Sequence, residues 1–376
     1  MRKAYKFRLY PNRSQLDALD AMLETHRRLY NLALRERRDV YETEERSVSY
    51  AEQSGRLKET RKALPTFAAT NFSSAQATLR RLDRAFKAFF RRVKSGETPG
   101  YPRFRHEGRF RTIEFPAYGD GCSLKDNGRL YLQHIGHIKV KFHRTVEGKV
   151  KTVSVKRSCG KWYVIFSCDL GDAPEATGDG PAVGIDLGLE SFLVTSEGES
   201  VGPPRYYRES QKKLRRAQRS VSRKKKGSKR QRKAREKVAR LHEKTANQRR
   251  DFHHKQARRL VDQHGLIAHE TLNVKGITRS WLAKSTHDAG WACFLNILSY
   301  KAEEAGTRVF AVDPRNTTQA CSACGALPEV KKALSDRTHV CPCGYVADRD
   351  VNAALNILRL GRSLQDETWR VSACVS

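Results

Sequence analysis

The chain has 376 residues, with 73 Lys and Arg against 41 Asp and Glu, a formal net charge of +32. Self-repulsion on that scale disfavours a compact state unless a polyanion is bound, which argues against an ordinary metabolic enzyme and for nucleic acid as the partner. Neither an apolar N-terminal leader nor a stretch of roughly 18 apolar residues is present, so a soluble, intracellular product of two or three domains with no membrane contact is expected.

In chain order, residues 3–10 alternate as a strand and stop at Tyr10-Pro11-Asn12. A helix follows from about Ser14, with Leu16, Leu19, Leu23, Leu29, Leu32 and Val40 as its apolar face. A second helix is expected over residues 50–64, stopped by Pro65, and a third from Ser73 to Lys94. The third buries Leu79, Leu82, Phe86, Phe89, Phe90 and Val93 and shows Arg80, Arg81, Arg84, Arg91 and Arg92 outside. Neighbouring helices with basic outer faces strengthen the nucleic-acid reading. Residues 106–170 read as strands with turns at Gly148 and Gly160. Strand 3–10 is expected to pair with them, giving a small β-barrel interrupted by the helices. The Gly-, Asp-, Ala- and Pro-rich run 171–180 is a linker and a domain boundary.

Beyond it the pattern is mixed α/β. Residues 182–188 form a buried strand with 191–195 as its hairpin partner, 266–272 and 307–312 are further strands, and 290–305 and about 350–360 are helices. Between them, residues 211–250 hold 19 Lys or Arg against Glu236 and Glu243, net +17. The break at Lys224-Lys225-Lys226-Gly227-Ser228-Lys229 makes residues 206–260 a basic helical hairpin. Lys224, Lys225, Lys226, Arg249 and Arg250 are its candidate nucleic-acid contacts. Such a density of charge tracks phosphates and does not read bases.

Nine cysteines are present. Cys122, Cys159, Cys168, Cys293 and Cys374 are scattered, as background thiols would be. Cys321-Ser322-Ala323-Cys324-Gly325 and Cys341-Pro342-Cys343-Gly344 form two pairs in tight turns, able to hold one Zn²⁺ tetrahedrally. Four thiolates leave no open position, so that zinc is structural. The second pair is one residue shorter than the usual C-x-x-C, and either Cys341 and Cys343 both bind or His339 replaces one thiolate.

Three acids stand out. Asp186 lies in the apolar strand Gly184-Ile185-Asp186-Leu187-Gly188, Glu270 ends the strand from Leu266, and Asp350 opens the last helix. Burying a lone carboxylate among apolar neighbours costs several kcal/mol. Hydrolysis of a phosphodiester by two cations about 3.5–4 Å apart needs acidic oxygens to hold both ions, and Mg²⁺ suits a few carboxylates plus water. An RNase H-like sheet brings a first-strand Asp, a fourth-strand Glu and a late-helix Asp together, and the element order after residue 181 follows that layout. The three acids are therefore candidate ligands of two Mg²⁺ ions and the candidate catalytic set.

With these residues the chain resembles the TnpB family, RNA-guided nucleases of insertion-sequence transposons related to type V CRISPR effectors. The resemblance is carried by Phe7-Arg8-Leu9-Tyr10-Pro11, Gly100-Tyr101-Pro102-Arg103-Phe104-Arg105, Gly184 to Gly188, Arg223 to Ser228, Ala246 to Phe252 and Glu270 to Gly276. Pro314 to Gln319, the cysteine cluster and Asp348-Arg349-Asp350-Val351-Asn352-Ala353-Ala354 complete it. It implies a multidomain α+β fold. A wedge-type β-barrel (1–12 and 99–172) carries a helical recognition insert (13–98). An RNase H-like RuvC nuclease domain (181–313 and 347–376) carries a zinc-ribbon insert (314–346). It further implies catalysis by Asp186, Glu270 and Asp350 with Mg²⁺, a guide RNA from the transposon end, double-stranded target DNA beside a short flanking motif, no required protein partner, and a cytoplasmic, nucleoid-associated location in a prokaryote. A guided DNA-binding repressor that does not cleave is the competing reading.

Overall fold

The computed structural model describes residues 1–333 and 335–373, side chains excepted at Lys275 and 367–373, so Cys374 lies outside the described residues. The chain divides into two compact units, Met1–Asp172 and Ala173–Ser376.

The first unit begins with β1 (Arg2–Tyr10). Four helices follow: α1 (Arg13–Glu44), α2 (Tyr50–Ala63), α3 (Pro65–Ala68) and α4 (Phe72–Lys94). Six strands complete the unit: β2 (Thr112–Phe115), β3 (Cys122–Leu124), β4 (Arg129–Leu132), β5 (Gly136–Lys141), β6 (Lys149–Ser158) and β7 (Lys161–Asp169). Capping boxes start two helices. The Asn12 side chain accepts from the Gln15 amide at 2.9 Å and the Gln15 side chain accepts from the Asn12 amide at 3.1 Å. Ser49 and Glu52 do the same for α2. Pro65 cannot extend α2 and instead opens α3.

All seven strands join one antiparallel sheet in the order β2-β6-β7-β1-β5-β4-β3. The N-terminal strand is central, paired with β7 from Arg2↔Asp169 to Leu9↔Trp162 and with β5 on its other side. Tyr5, Phe7 and Leu9 alternate into the core, where Trp162, Val164, Phe166 and Cys168 meet them. The barrel expected from the sequence is thus a curled sheet whose ladder has β2 and β3 as edges. Leu32, expected inside, is 47% exposed, and Phe90 and Val93 at the end of α4 are also exposed. Met22, Tyr30 and Leu34 fill the core in their place.

The second unit opens with β8 (Ala182–Asp186), β9 (Leu193–Thr195) and β10 (Ser200–Val201), then α5 (Tyr206–Ser222) and α6 (Lys229–Gln263). Next come β11 (Leu266–Glu270), α7 (Val274–Ile277), α8 (Ala283–Ala289), α9 (Trp291–Ala305) and β12 (Arg308–Val312). A short hairpin, β13 (Thr338–Val340) and β14 (Val346–Asp348), precedes α10 (Arg349–Ala373). The main sheet runs β10-β9-β8-β11-β12, with β8, β11 and β12 parallel and β9 antiparallel to β8.

Strand alternation assigns the two faces. Val183, Ile185 and Ile267 pack with Ala257, Leu260, Phe294 and Leu298 of α6 and α9. Leu266 and Ala268 face the other way, against Ile357 of α10. By the same parity Asp186 and Glu270 belong to the α10 side. Helix α10 comes so near the sheet that a Cβ on Gly184 would lie 2.0 Å from the Ala354 carbonyl oxygen. Only a residue without a side chain fits that crossing.

The basic stretch is an ordered hairpin, with α5 packed on α6 through Leu214 and Ala217. Gly227 turns the chain at φ +82°, and the Gln231 side chain accepts from its amide at 3.0 Å. Among the described residues no helix is long and apolar enough to cross a membrane.

Candidate acidic site and four-thiolate cluster

Asp186 and Glu270 are the last residues of two adjacent parallel strands, with Ile185 level with His269. Their carboxylates therefore leave the sheet at one end, the carboxyl edge where open α/β sheets place their sites. The third acid, Asp350, comes from the first turn of α10, which packs across β8 and β11. It does not serve as that helix's cap. The Asp348 side chain accepts from the Asp350 amide at 2.8 Å and the Val351 amide at 3.1 Å. The Asp350 carboxylate is left for other uses.

Electrostatics ties the acids together. Burial, then the negative charges of Glu270 and Asp350, push the Asp186 carboxyl up to about 7. Burial raises Glu270 as well, opposed by a hydrogen bond from Thr317. Asp350 is raised by burial and by Asp348, against the pull of Arg337 and Arg349. Among the described residues Asp186 and Glu270 have no ion-pair partner, and Asp350 has Arg337 at 3.9 Å, an arginine that also pairs with Glu190. This donor set suits divalent cations, which take carboxylate oxygens as ligands. Among the described residues, the four cysteines are the metal-competent group whose donor atoms all lie within 4.8 Å of one another, and the three carboxylates do not form such a group.

The four sulfurs of Cys321, Cys324, Cys341 and Cys343 form that cluster. Cys321 Sγ lies 3.8 Å from Cys343 Sγ, and Cys324 Sγ lies 3.6 Å from Cys341 Sγ. A tetrahedron with Zn–S bonds of about 2.3 Å has edges of about 3.8 Å, so the cluster can hold zinc. Gly325 and Gly344, at φ +77° and +88°, let each knuckle turn back so that its amide donates to the carbonyl of the leading cysteine. At Cys321 burial works against the thiolate. The Cys324 and Ala323 amides and His339 outweigh it, holding the thiol down at about 6. His339 stays outside the set of four, with Nδ1 2.7 Å from Lys332 Nζ. The shortened C-x-C pair thus brings both of its sulfurs in.

Of the basic candidates, Lys225, Lys226 and Arg250 are exposed. Lys224 donates to the Ser220 carbonyl and hydroxyl at 3.2 and 3.0 Å. Arg249 donates to the His287 carbonyl at 2.8 Å, which joins α6 to α8.

Sequence reading missed the groups that connect the two clusters. Thr317 donates to Glu270 Oε1. Asn352 and Asn356, buried on α10, hold the Ala320 carbonyl at 2.9 and 2.8 Å. Two amides four residues apart, between Ala353, Ala354 and Ile357, break an otherwise apolar helix face, and that was the available signal.

The fold and these two clusters define a multidomain α/β protein with a partly buried acidic site beside a metal-competent thiolate cluster. A Streptomyces pristinaespiralis protein named RNA-guided DNA endonuclease is 34% identical over 371 residues, 96% of this chain and 90% of its own length. The Escherichia coli K12 protein named RNA-guided DNA endonuclease InsQ is 31% identical over 381 residues, 96% of this chain and 93% of its own. The chain belongs to the TnpB family, the OrfB-type proteins of IS605 insertion sequences. Residues 165–280 match the family described as probable transposase, and 291–357 match the Cas12f1-like TNB domain. Residues 1–46 match the family's helix-turn-helix domain, although here they form β1 and one long helix. Against the solved mini-RNA-guided endonuclease CRISPR-Cas phi3 the TM-score is 0.47 at 11% identity, over 96% of this chain and 92% of that one.

Proposed function

We propose that this chain is an RNA-guided DNA endonuclease of an insertion-sequence transposon, and that Asp186, Glu270 and Asp350 hold the Mg²⁺ ions of its cleavage site. One observation carries the reading: half-buried Asp186 stands beside two further carboxylates and, among the described residues, has no ion-pair partner, in a chain of net charge +32. Acids so placed repel one another unless divalent cations join them. Bound there, Mg²⁺ would supply the charge that activates water and stabilises the leaving oxygen of a phosphodiester. The chain's own share is positional. Two strand ends fix Asp186 and Glu270, the start of α10 fixes Asp350, and the basic surfaces neutralise phosphates.

The strand order and the position of α10 support an RNase H-like, RuvC-type domain over 181–313 and 347–376. The two knuckles support a structural zinc ribbon over 314–346. The seven-stranded sheet takes the part of the wedge, and α1 to α4 that of the recognition insert. The relatives' names support a guide RNA and a DNA target as partners; the target is proposed to be double-stranded, with base pairing supplying specificity. Co-purification from a host carrying the native flanking DNA, followed by RNA sequencing, is expected to return one defined noncoding RNA. A heterogeneous pool mirroring cellular RNA would sink the guide reading.

Two smaller predictions arise here. Cys321→Ser should lower bound zinc from about one equivalent to near zero and speed proteolysis within 315–346, because a three-thiolate remnant binds weakly. Unchanged zinc by elemental analysis would remove the assignment. Replacing Lys225, Lys226, Lys229 and Arg230 by Gln should weaken RNA and DNA binding and flatten its salt dependence by up to about four units of slope. A changed target preference at unchanged affinity would instead mean base readout.

A further inference from the structure

We infer that Thr317, at the root of the cysteine segment, is a positioning residue for Glu270, so that closure of the four-thiolate cluster sets the divalent-ion affinity of the acidic site. The inference rests on the reading of that site as a metal-binding one. Thr317 is buried, 3% exposed, in the connection between β12 and the first knuckle. Its hydroxyl has one proton and two oxygens within reach, Glu270 Oε1 and the Pro314 carbonyl at 3.0 Å. The carboxylate is the stronger acceptor and takes it. That bond engages Oε1 and restrains the Glu270 side chain.

What holds Thr317 in turn is α10. The Asn356 amide donates to the Thr317 carbonyl at 3.0 Å and to the Ala320 carbonyl at 2.8 Å. The Asn352 amide donates to the Ala320 carbonyl at 2.9 Å, and its oxygen accepts from the Ser322 amide, inside the first knuckle, at 2.9 Å. Segment 317–322, which includes Cys321, is therefore pinned to the helix that carries Asp350. The segment before the second knuckle carries only a loose ion pair to the site, Arg337 at 3.9 Å from Asp350. Thr317 lies four residues before Cys321, and Arg337, which reaches Asp350, lies four residues before Cys341. Groups that orient metal ligands in this way typically control affinity by about 10–100-fold.

The test is Mn²⁺ binding to the full-length protein, followed by calorimetry and by the electron paramagnetic resonance of free Mn²⁺. Wild type should bind Mn²⁺ in a manner that Asp186→Ala removes. Thr317→Val should weaken binding about 10–100-fold at unchanged zinc content and Tm, and Thr317→Ser should restore it. Cys324→Ser should weaken it comparably, and the double variant with Thr317→Val should be no weaker than the worse single variant. Wild-type affinity in Thr317→Val, failure of Ser to rescue, or additive losses in the double variant would each overturn the inference. If Cys324→Ser does not fold, the Val and Ser variants decide it. Absence of any Asp186-dependent Mn²⁺ binding in wild type would instead overturn the metal-site reading itself, and this inference with it.

Discussion

Asp186→Ala is expected to lower DNA cleavage by at least about 10³-fold while RNA and target binding stay within about twofold. A loss of that size is about 4 kcal/mol of transition-state stabilisation, a reasonable share for a carboxylate shared between two ions. Binding should survive because Asp186 lies at a strand end in a sheet whose core is built by Val183, Ile185 and Ile267. The pH dependence of stability gives a second handle on the same residue. With the Asp186 carboxyl pushed up to about 7 from an ordinary 3.8, the folded chain keeps a proton that the unfolded chain releases above pH 3.8. Stability from this group therefore falls as pH rises from about 4 to 7 and stays at the lower level above. Asp186→Asn, neutral at every pH, should match wild type near pH 4 and exceed it at pH 8 in EDTA, by an amount on the order of a few kcal/mol. Adding Mg²⁺ should raise the Tm of wild type and leave that of Asp186→Asn unchanged. Cleavage surviving in Asp186→Ala, or a Tm lowered by Asp186→Asn at pH 8, would show that the acids do another job.

The parts of this site legible in the sequence are those that break a local rule. A carboxylate in an apolar strand is costly, so Asp186 and Glu270 announced themselves, and four cysteines in two glycine-closed turns did the same. The hairpin of α5 and α6 was readable because Gly227 interrupts a helical pattern at a turn that needs positive φ. What stayed hidden depends on contacts between distant segments. The sequence reading ends the last helix near Leu360, yet α10 runs on through Gly361 to Ala373. Gly361 is there because the helix crosses β11 so closely that a Cβ would lie 2.4 Å from that of Ala268. Tertiary packing overrode propensity at that residue. Thr317 lies in the Pro314 to Gln319 run that helped carry the family resemblance, but nothing local to it names its partner. Its role exists only once the knuckle, α10 and β11 have met, which is also why the apolar face of α1 was misjudged at Leu32. Over 32 residues a periodic pattern drifts, and the partner surface decides which leucines are covered.

Gly184→Val should be the most damaging single change outside the acids themselves. A Cβ at Gly184 would meet the Ala354 carbonyl oxygen at 2.0 Å, the Leu358 amide nitrogen at 2.7 Å and Leu358 Cβ at 2.9 Å. The first two are helix backbone, which cannot turn aside as a side chain could. The cost is relieved only by lifting α10 from β8, at about 3 kcal/mol or more. For a unit of this size that corresponds to a fall in Tm of roughly 6–12 °C. The functional loss should exceed the loss of stability. Lifting α10 carries Asp350 away from Asp186 and drags on the buried Asn352 and Asn356, which hold segment 317–322. Cleavage should therefore be lost at temperatures where the protein is still folded, and, unlike Asp186→Ala, where no fall in Tm is expected, the loss should come with a lowered Tm. Gly202→Ala, where a Cβ meets nothing within 4 Å, is the matched control and should change Tm by less than about 2 °C. If Gly184→Val melts and cuts like wild type, α10 does not rest on β8 as described, and Asp350 has no structural reason to join the other two acids.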